Sequence, residues 1–484
     1  MSISLFTGKK AHSKRAAPWQ QAVLVPVATL VLLWGTGLLV FTEARVIGIL
    51  VAILATAVLV VELRRDHLPA SAPDGSSGRR ALRGAWEMLL YLSPIAMLSV
   101  AYPVASHRLH HTWVGEVPLT TLLLASSVTV PWLTQAVCLP LYRAVGPLVA
   151  AGEYDKITDR LCEVWPTTFL QCLPVVALFA VPVELAMHWS AEALATYIGL
   201  CVLYIAFAQS LILSIVYRRR GLWAIGWAAL TVALLVAPDL WFLPPLVGLA
   251  TQMVPLYRHR ASFRRPTWLH GADVAKDVVR GLLLGAVLWS DKYFLFLKAG
   301  DHFAVTSVYV ALLPAVLAYN YYFVRLAPAF DQSILDLRRA MEDDTYDVLA
   351  DRSRAVYRLV TRSLSRSAAV GAIIAFLVTW ILTAWSPASV ALVAAVAVAS
   401  WLAMMLTLFC YKLDYIGQSA VAQRFSAVYL VGCMAAFILL PLGPAPFVAL
   451  IGFDLVLVAV TLRSTLQHWR SPEYSLFWRY AMAW

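Results

Sequence analysis

The sequence predicts an all-α polytopic membrane protein of about 14 transmembrane helices, built as two pseudo-symmetric six-helix halves behind an N-terminal helix pair. Three observations predict it. Of 484 residues, 61% are hydrophobic and 13% charged, and the mean hydropathy is +0.74, whereas a soluble domain carries about 25% charged residues. Apolar runs recur at the length needed to cross a hydrocarbon core, about 20 residues. Finally, Tyr154-Asp155-Lys156-Ile157-Thr158-Asp159-Arg160 returns as Tyr346-Asp347-Val348-Leu349-Ala350-Asp351-Arg352, the same Tyr-Asp-x-x-x-Asp-Arg pattern after 192 residues (154 to 346). Shifting the chain by that interval also superimposes most of the first four apolar blocks of the two halves, as an internal duplication does.

Taken in order, residues 1–21 form a basic tail with Lys9, Lys10, Lys14 and Arg15. The run from Ala22 to Phe41 is too long for a signal-peptide core and lacks a small-residue cleavage site, so it stays as a span. A second run, Val46 to Leu63, returns to Arg64-Arg65 and completes a two-helix extension over 22–63. Residues 64–83, rich in Pro, Ser, Gly and Arg, read as a linker. The first half, 84–260, supplies apolar segments at 84–105, 118–147, 164–187, 191–216, 222–237 and 240–257. The second half, 273–463, supplies 278–297, 303–330, 367–386, 388–411, 425–441 and 444–463. Residues 464–484 follow as a second tail.

Charge gives the orientation. With a cytoplasmic N-terminus, the inside connections gather Arg64, Arg65, Lys156, Arg160, Arg218 to Arg220, Arg338, Arg339, Arg352, Lys412 and Arg424 among others, and the outside ones hold only Arg45, Arg108 and Lys298. That asymmetry obeys the positive-inside bias, so both termini and the two tails are expected in the cytoplasm, and the excess of +11 is expected to meet anionic membrane lipids. No basic stretch accompanies a nucleic-acid-binding module, so nucleic acid is not expected as a partner. The cysteines Cys138, Cys162, Cys172, Cys201, Cys410 and Cys433 have no C-x-x-C spacing and read as small core residues rather than disulfide partners.

Chemistry-bearing candidates are few. No phosphate-binding loop or metalloprotease motif is present, and a lipid-linked-sugar glycosyltransferase would need an early outer-loop acid, where only Glu116 stands. No catalytic group, cofactor or metal is expected; His107, His110 and His111 lack a carboxylate or thiol partner and read as interfacial. Trp289-Ser290-Asp291-Lys292-Tyr293 is the sharpest feature, because each ionisable side chain at bilayer depth costs about 2.5–3.5 kcal/mol on insertion scales. Either the pair ties its helix to a neighbour, or Asp291, Lys292 and Trp289 line a cavity for substrate or coupling ion. Arg325 has the same two readings, snorkelling to the head groups or lining the cavity. From Asp331 to Arg366 the chain is polar, and Arg354, Arg358, Arg362 and Arg366 stand four apart: an interfacial helix on anionic lipid, or a dock for an acidic partner. In the repeated motif, Tyr154, Asp155, Asp159 and Arg160, with Tyr346, Asp347, Asp351 and Arg352, are candidates for a cytoplasmic gate that pairs across the halves. The alternative is a solvated helix start whose acids complement the helix dipole.

The bipartite body resembles the multidrug/oligosaccharidyl-lipid/polysaccharide (MOP) flippase superfamily. More narrowly, Trp289-Ser290-Asp291-Lys292, the aromatic-Arg sequence ending at Arg325, Gly152-Glu153-Tyr154-Asp155, Tyr411-Lys412-Leu413-Asp414-Tyr415 and Glu473-Tyr474-Ser475-Leu476-Phe477 are similar to the PelG family of exopolysaccharide export proteins. The likeness covers roughly 84–480, and the N-terminal helix pair departs from the twelve-helix pattern. It implies a plasma-membrane transporter that moves a polysaccharide or lipid-linked oligosaccharide by rocking of two halves, with a cytosolic glycosyltransferase and other membrane subunits as partners. Two alternatives stay open: an ion-coupled small-molecule antiporter with Asp291 as coupling carboxylate, and a non-transporting scaffold for a glycosyltransferase.

Overall fold

The computed structural model describes residues 93, 94, 97, 98, 101, 102, 104, 105, 109 and 111–481, apart from 218, 301, 302, 304, 344 and 386–389. The basic tail, the helix pair over 22–63, the linker, and His107 and His110 lie outside the described residues. A two-residue hairpin, β1 (Trp113–Val114) and β2 (Val117–Pro118), pairs Trp113 with Pro118 and leads into helix. The first half then runs α1 (Leu119–Ala151), α2 (Tyr154–Cys172), a short 3₁₀ turn (Leu173–Val176), α3 (Ala177–Met187), α4 (Ala191–Ser210), α5 (Ile212–Val216), α6 (Arg220–Val236), α7 (Leu243–Leu256) and α8 (Arg260–Phe263). The second runs α9 (Gly271–Ala299), α10 (Val305–Tyr321), a π-turn (Tyr322–Leu326), α11 (Ala327–Asp343), α12 (Tyr346–Trp385), α13 (Val390–Tyr415), α14 (Ser419–Leu439), α15 (Ala445–Trp469) and α16 (Pro472–Ala481).

The protein is an all-α polytopic membrane protein. Among the described residues seven helical stretches are long and apolar enough to cross a bilayer: Leu119–Val149, Tyr154–Met187, Ala191–Val216, Tyr346–Trp380, Val390–Tyr415, Ser419–Leu439 and Ala445–Trp469. They expose Leu178, Val181, Leu185, Phe376, Trp380, Ile438 and Val456, apolar surface of the kind that meets lipid. Inside the first half α1 packs on α2 and α4, and α7 on α4 and α6; in the second, α13 is the hub that touches α9, α10, α12, α14 and α15. The helix α9 belongs to both, packing along α1 on one side and against α14 and α13 on the other.

The repeated motif sits at two helix starts rather than in loops. Gly152, at φ +75°, closes α1 with a left-handed cap whose N–H reaches the carbonyls of Leu148 and Val149, and α2 opens at Tyr154. Tyr346 likewise opens α12, so Asp155 and Asp347 both occupy first turns, where a carboxylate complements the positive helix end.

Several boundaries differ from the hydropathy reading. The segment expected to end at 330 passes through the π-turn and continues as α11 to Asp343, and the span expected from 367 begins at Tyr346. Hydropathy marks where a chain meets lipid, whereas helix formation does not need an apolar run, and no Pro or Gly weakens the helix between 346 and 370. Lys412, read as a loop cation, lies inside α13 and is fully buried.

Candidate functional site

On α9, Asp291 lies eight residues from the helix end at Ala299, about 12 Å along the axis. Its Oδ2 is 2.7 Å from Nζ of Lys292, and both side chains are buried, 1% and 3% exposed. Adjacent helical residues point about 100° apart, so the lysine has to curl back; it does, and its ammonium also donates to the carbonyl of Leu288 at 3.2 Å. The surroundings come from α14 and α15. Tyr429 and Cys433 of α14 are buried beside the pair, and Asp454 of α15, fully buried, stands within electrostatic reach of both charges. Neither oxygen of Asp454 has a hydrogen-bond partner among the described residues. Two carboxylates therefore face one ammonium, and with both ionised the cluster carries one uncompensated negative charge in a low-dielectric interior. One bound cation or proton restores neutrality.

Trp289 is half-buried next to this cluster and packs against two buried apolar clusters, one that draws on both halves and one within the second half. Arg325 is half-buried on the π-turn, and π-turns within a helix recur at functional positions. Close to that turn is a second buried cation, Lys412. Its Nζ lies 2.9 Å from the ring centre of Phe330, with Tyr322 and Trp469 on its flanks at 5.2 and 5.9 Å and Asp331 as its electrostatic neighbour. Around it Tyr319, Phe323, Tyr411 and Tyr415 stack edge to tilted face, with ring centres 4.6 to 6.5 Å apart. Desolvation of an ammonium is offset here by ring quadrupoles instead of a carboxylate at hydrogen-bond distance.

The residues of the repeated motif bind within their own halves. Asp159 accepts from Ser262 Oγ at 2.6 Å and lies 2.8 Å from His259 Nδ1. Arg160 pairs with Glu163 at 3.4 Å, and Tyr217 donates to the carbonyl oxygen of Tyr154 at 2.7 Å. In the other copy Asp351 pairs with Arg354 at 2.7 Å, while Tyr346, Asp347 and Arg352 are exposed. Asp155, Asp347 and Arg352 make no ion pair among the described residues.

The polar contacts that do cross the halves are elsewhere. Arg143 of α1 reaches Asp277 at 3.3 Å and Asp273 at 3.7 Å on α9. Further along the same seam Trp132 donates its indole N–H to the carbonyl of Leu282 at 2.7 Å, and Tyr293 donates to the carbonyl of Phe179 at 2.8 Å. Towards the other end Ser127 and Tyr309 share a hydrogen bond of 2.5 Å. Sequence reasoning sought two acids one helical turn apart meeting an arginine of the other half; Asp273-x-x-x-Asp277 is that pattern, at residues the repeat did not mark. Within the second half Arg280 pairs with Asp414, tying α9 to α13.

No family model matches the chain, and no curated protein matches it. Among solved structures, one described as the inward-facing conformation of a multidrug resistance MATE family transporter of the MOP superfamily aligns with a TM-score of 0.45 at 10% identity. The alignment covers 86% of this chain and 99% of that one.

Proposed function

We propose that the chain is a plasma-membrane transporter that exports a polysaccharide or lipid-linked oligosaccharide by alternating access, as the membrane subunit of an exopolysaccharide synthesis and export system. Its termini face the cytoplasm, and a cytosolic glycosyltransferase hands it the glycan. The carrying observation is the Asp291–Lys292–Asp454 cluster, three ionisable groups kept fully buried on α9 and α15 at a cost that packing alone does not require. Supporting it is the seam between α1 and α9, where the two halves meet through a handful of polar contacts that a rocking motion can break. The aromatic stack beside Lys412 offers flat apolar faces with hydroxyl rims, the surface chemistry that suits sugar rings.

A second reading is favoured by the unpaired carboxylate. An ion-coupled small-molecule antiporter needs an acid that takes a proton or a monovalent cation in one state and releases it in the other, and Asp454 with Asp291 supplies it. The two readings separate in proteoliposomes. Purified with its co-expressed partners, the exporter delivers polymer to the far side, and Asp454→Asn and Asp291→Asn each lower that delivery at least tenfold with insertion unchanged. Substrate-dependent proton or sodium movement without any partner, and no polymer, supports the antiporter. If neither flux is seen while the partners stay bound, the protein is a scaffold for the glycosyltransferase and the transporter reading is withdrawn.

A further inference from the structure

We infer that the outward face of the stalk formed by the first part of α12 is a docking surface for an acidic face of a cytosolic protein. The inference rests on the cytoplasmic orientation proposed above. α12 spans 40 residues, Tyr346–Trp385, about 60 Å of uninterrupted helix. A hydrocarbon core of about 30 Å accounts for the apolar part after Arg366, so residues 346–366 stand outside the membrane. One side of this stalk is fixed. Val356, Val360 and Leu364 are buried against Ile334 and Leu337 of α11 and Leu476 of α16, and Ser353 donates to Glu473 of α16.

The other side is free. Arg354, Ala355, Arg358, Arg362 and Ser365 are exposed along one face. Arg354 is held by Asp351 at 2.7 Å, whereas Arg358 and Arg362 have no carboxylate partner among the described residues. Like charges four residues apart on a helix repel one another, and a row of three is relieved by an opposing row of carboxylates, which guanidinium forks accept in bidentate fashion. Small side chains at Ala355 and Ser365 leave room for a partner to approach between the arginines. Because the inner side is packed, the row is held in place before any partner arrives, which lowers the ordering cost of binding.

Geometry chooses the occupant. The stripe runs along the helix axis, and the axis continues into the span, so the arginines lead away from the membrane. Head groups form a layer of about 5–8 Å beyond the hydrocarbon and can reach Arg366 and Arg362. Arg354 is twelve residues from Arg366, about 18 Å further out along the axis and still about 14 Å out at a tilt of 40°. A lipid surface therefore cannot engage the whole row, and a carboxylate-bearing protein face can.

The test uses the full chain in nanodiscs of neutral phosphatidylcholine. The probe is a 21-residue helical peptide with Glu at every fourth position, and its control has the same composition in scrambled order. Fluorescence anisotropy should show the ordered peptide binding at least tenfold more tightly than the scrambled one. That preference should vanish in the Arg354→Gln, Arg358→Gln, Arg362→Gln variant, whose unfolding temperature should match the parent's. In cells, a photo-crosslinking amino acid at Ala355 should trap one discrete protein, with the adduct lost in the same triple variant. Equal binding of both peptides, or crosslinks to lipid alone, overturns the docking surface. Thiol labelling of a cysteine at Ser365 from outside intact cells overturns the orientation, and with it the proposed cytosolic partner. An inward-facing stalk that traps no protein overturns the docking surface while leaving the transporter reading intact.

Discussion

At the scale of single residues, the cluster around Asp291 makes a prediction whose sign depends on counting charge. Among the described residues Lys292 is the cation that faces the two carboxylates. Lys292→Met removes it and strands both acids in the interior, and breaking a buried pair in this way costs about 3–5 kcal/mol. Asp454→Asn removes the surplus negative charge at nearly constant volume and leaves the Asp291–Lys292 pair intact. Thermal unfolding in detergent should therefore rank Lys292→Met well below the parent and Asp454→Asn at or above it. Equal loss in the two variants would mean that Asp454 has a compensating partner and that the charge count is wrong. Part of this was readable in advance, since Asp291 and Lys292 interrupt an apolar run. Asp454 carries the same signal, an acid between Phe453 and Leu455, yet a lone carboxylate in a sequence does not say which distant helix it faces. Lys412 was misread for a related reason: at the edge of an apolar block a lysine looks solvated, and only the rings of Phe330, Tyr322 and Trp469, from helices far along the chain, keep it buried.

At the scale of elements, the seam between α1 and α9 turns on two glycines. A Cβ added at Gly281 would sit 2.5 Å from Cα of Ala136 and closer still to the carbonyl oxygen of Gln135, both backbone atoms that cannot swing aside. At Gly285 the obstacle is the edge of Trp132 at 2.9 Å, a side chain with some freedom. Small residues spaced Gly-x-x-x-Gly allow two helices in lipid to approach closely, which is what drives their association where no hydrophobic effect operates. Gly281→Ala should force the helices apart and cost about 1–3 kcal/mol, the usual scale of overpacking. Gly452→Ala is the control, because nothing lies within 4 Å of its added methyl and removing a mid-helix glycine gains up to about 1 kcal/mol. Fluorescence-detected size exclusion after graded heating reads both, and a Gly281→Ala protein as robust as Gly452→Ala would show that the seam is looser than described. The long spans were visible in the sequence as apolar runs, because run length is local, whereas the spacing of Gly281 and Gly285 was not singled out. The partner of the spacing was not visible, and neither was the stalk of α12, where the composition changes at Arg366 while the helix runs on.

At the scale of the whole molecule, the question is what holds the two halves together at the end where Arg143 sits. Arg143 is 53% exposed, Asp273 43% and Asp277 8%, so two of the three groups are well solvated. Exposed ion pairs contribute about 0–1 kcal/mol, and the burial of Asp277 places this one toward the upper part of that range. A contact of that size holds a gate without freezing it: losing about 1 kcal/mol shifts a two-state population roughly fivefold. In the repeated motif, by contrast, Asp159 meets Ser262 and His259, Arg160 meets Glu163 and Asp351 meets Arg354, each within its own half. Spin labels at Ala151, the exposed end of α1, and at Ser365 on α12, in a background with the six cysteines replaced, report the separation of the halves. Arg143→Glu sets three carboxylates against one another and should enlarge the long-distance fraction several-fold. Combining it with Asp277→Arg restores an attractive pair in reversed sense and should return the distribution toward that of the parent. If the reversal alone leaves the distances as they were, the halves are held by the packing of Gly281, Trp132 and Leu282, and the Arg143 contact is incidental to opening.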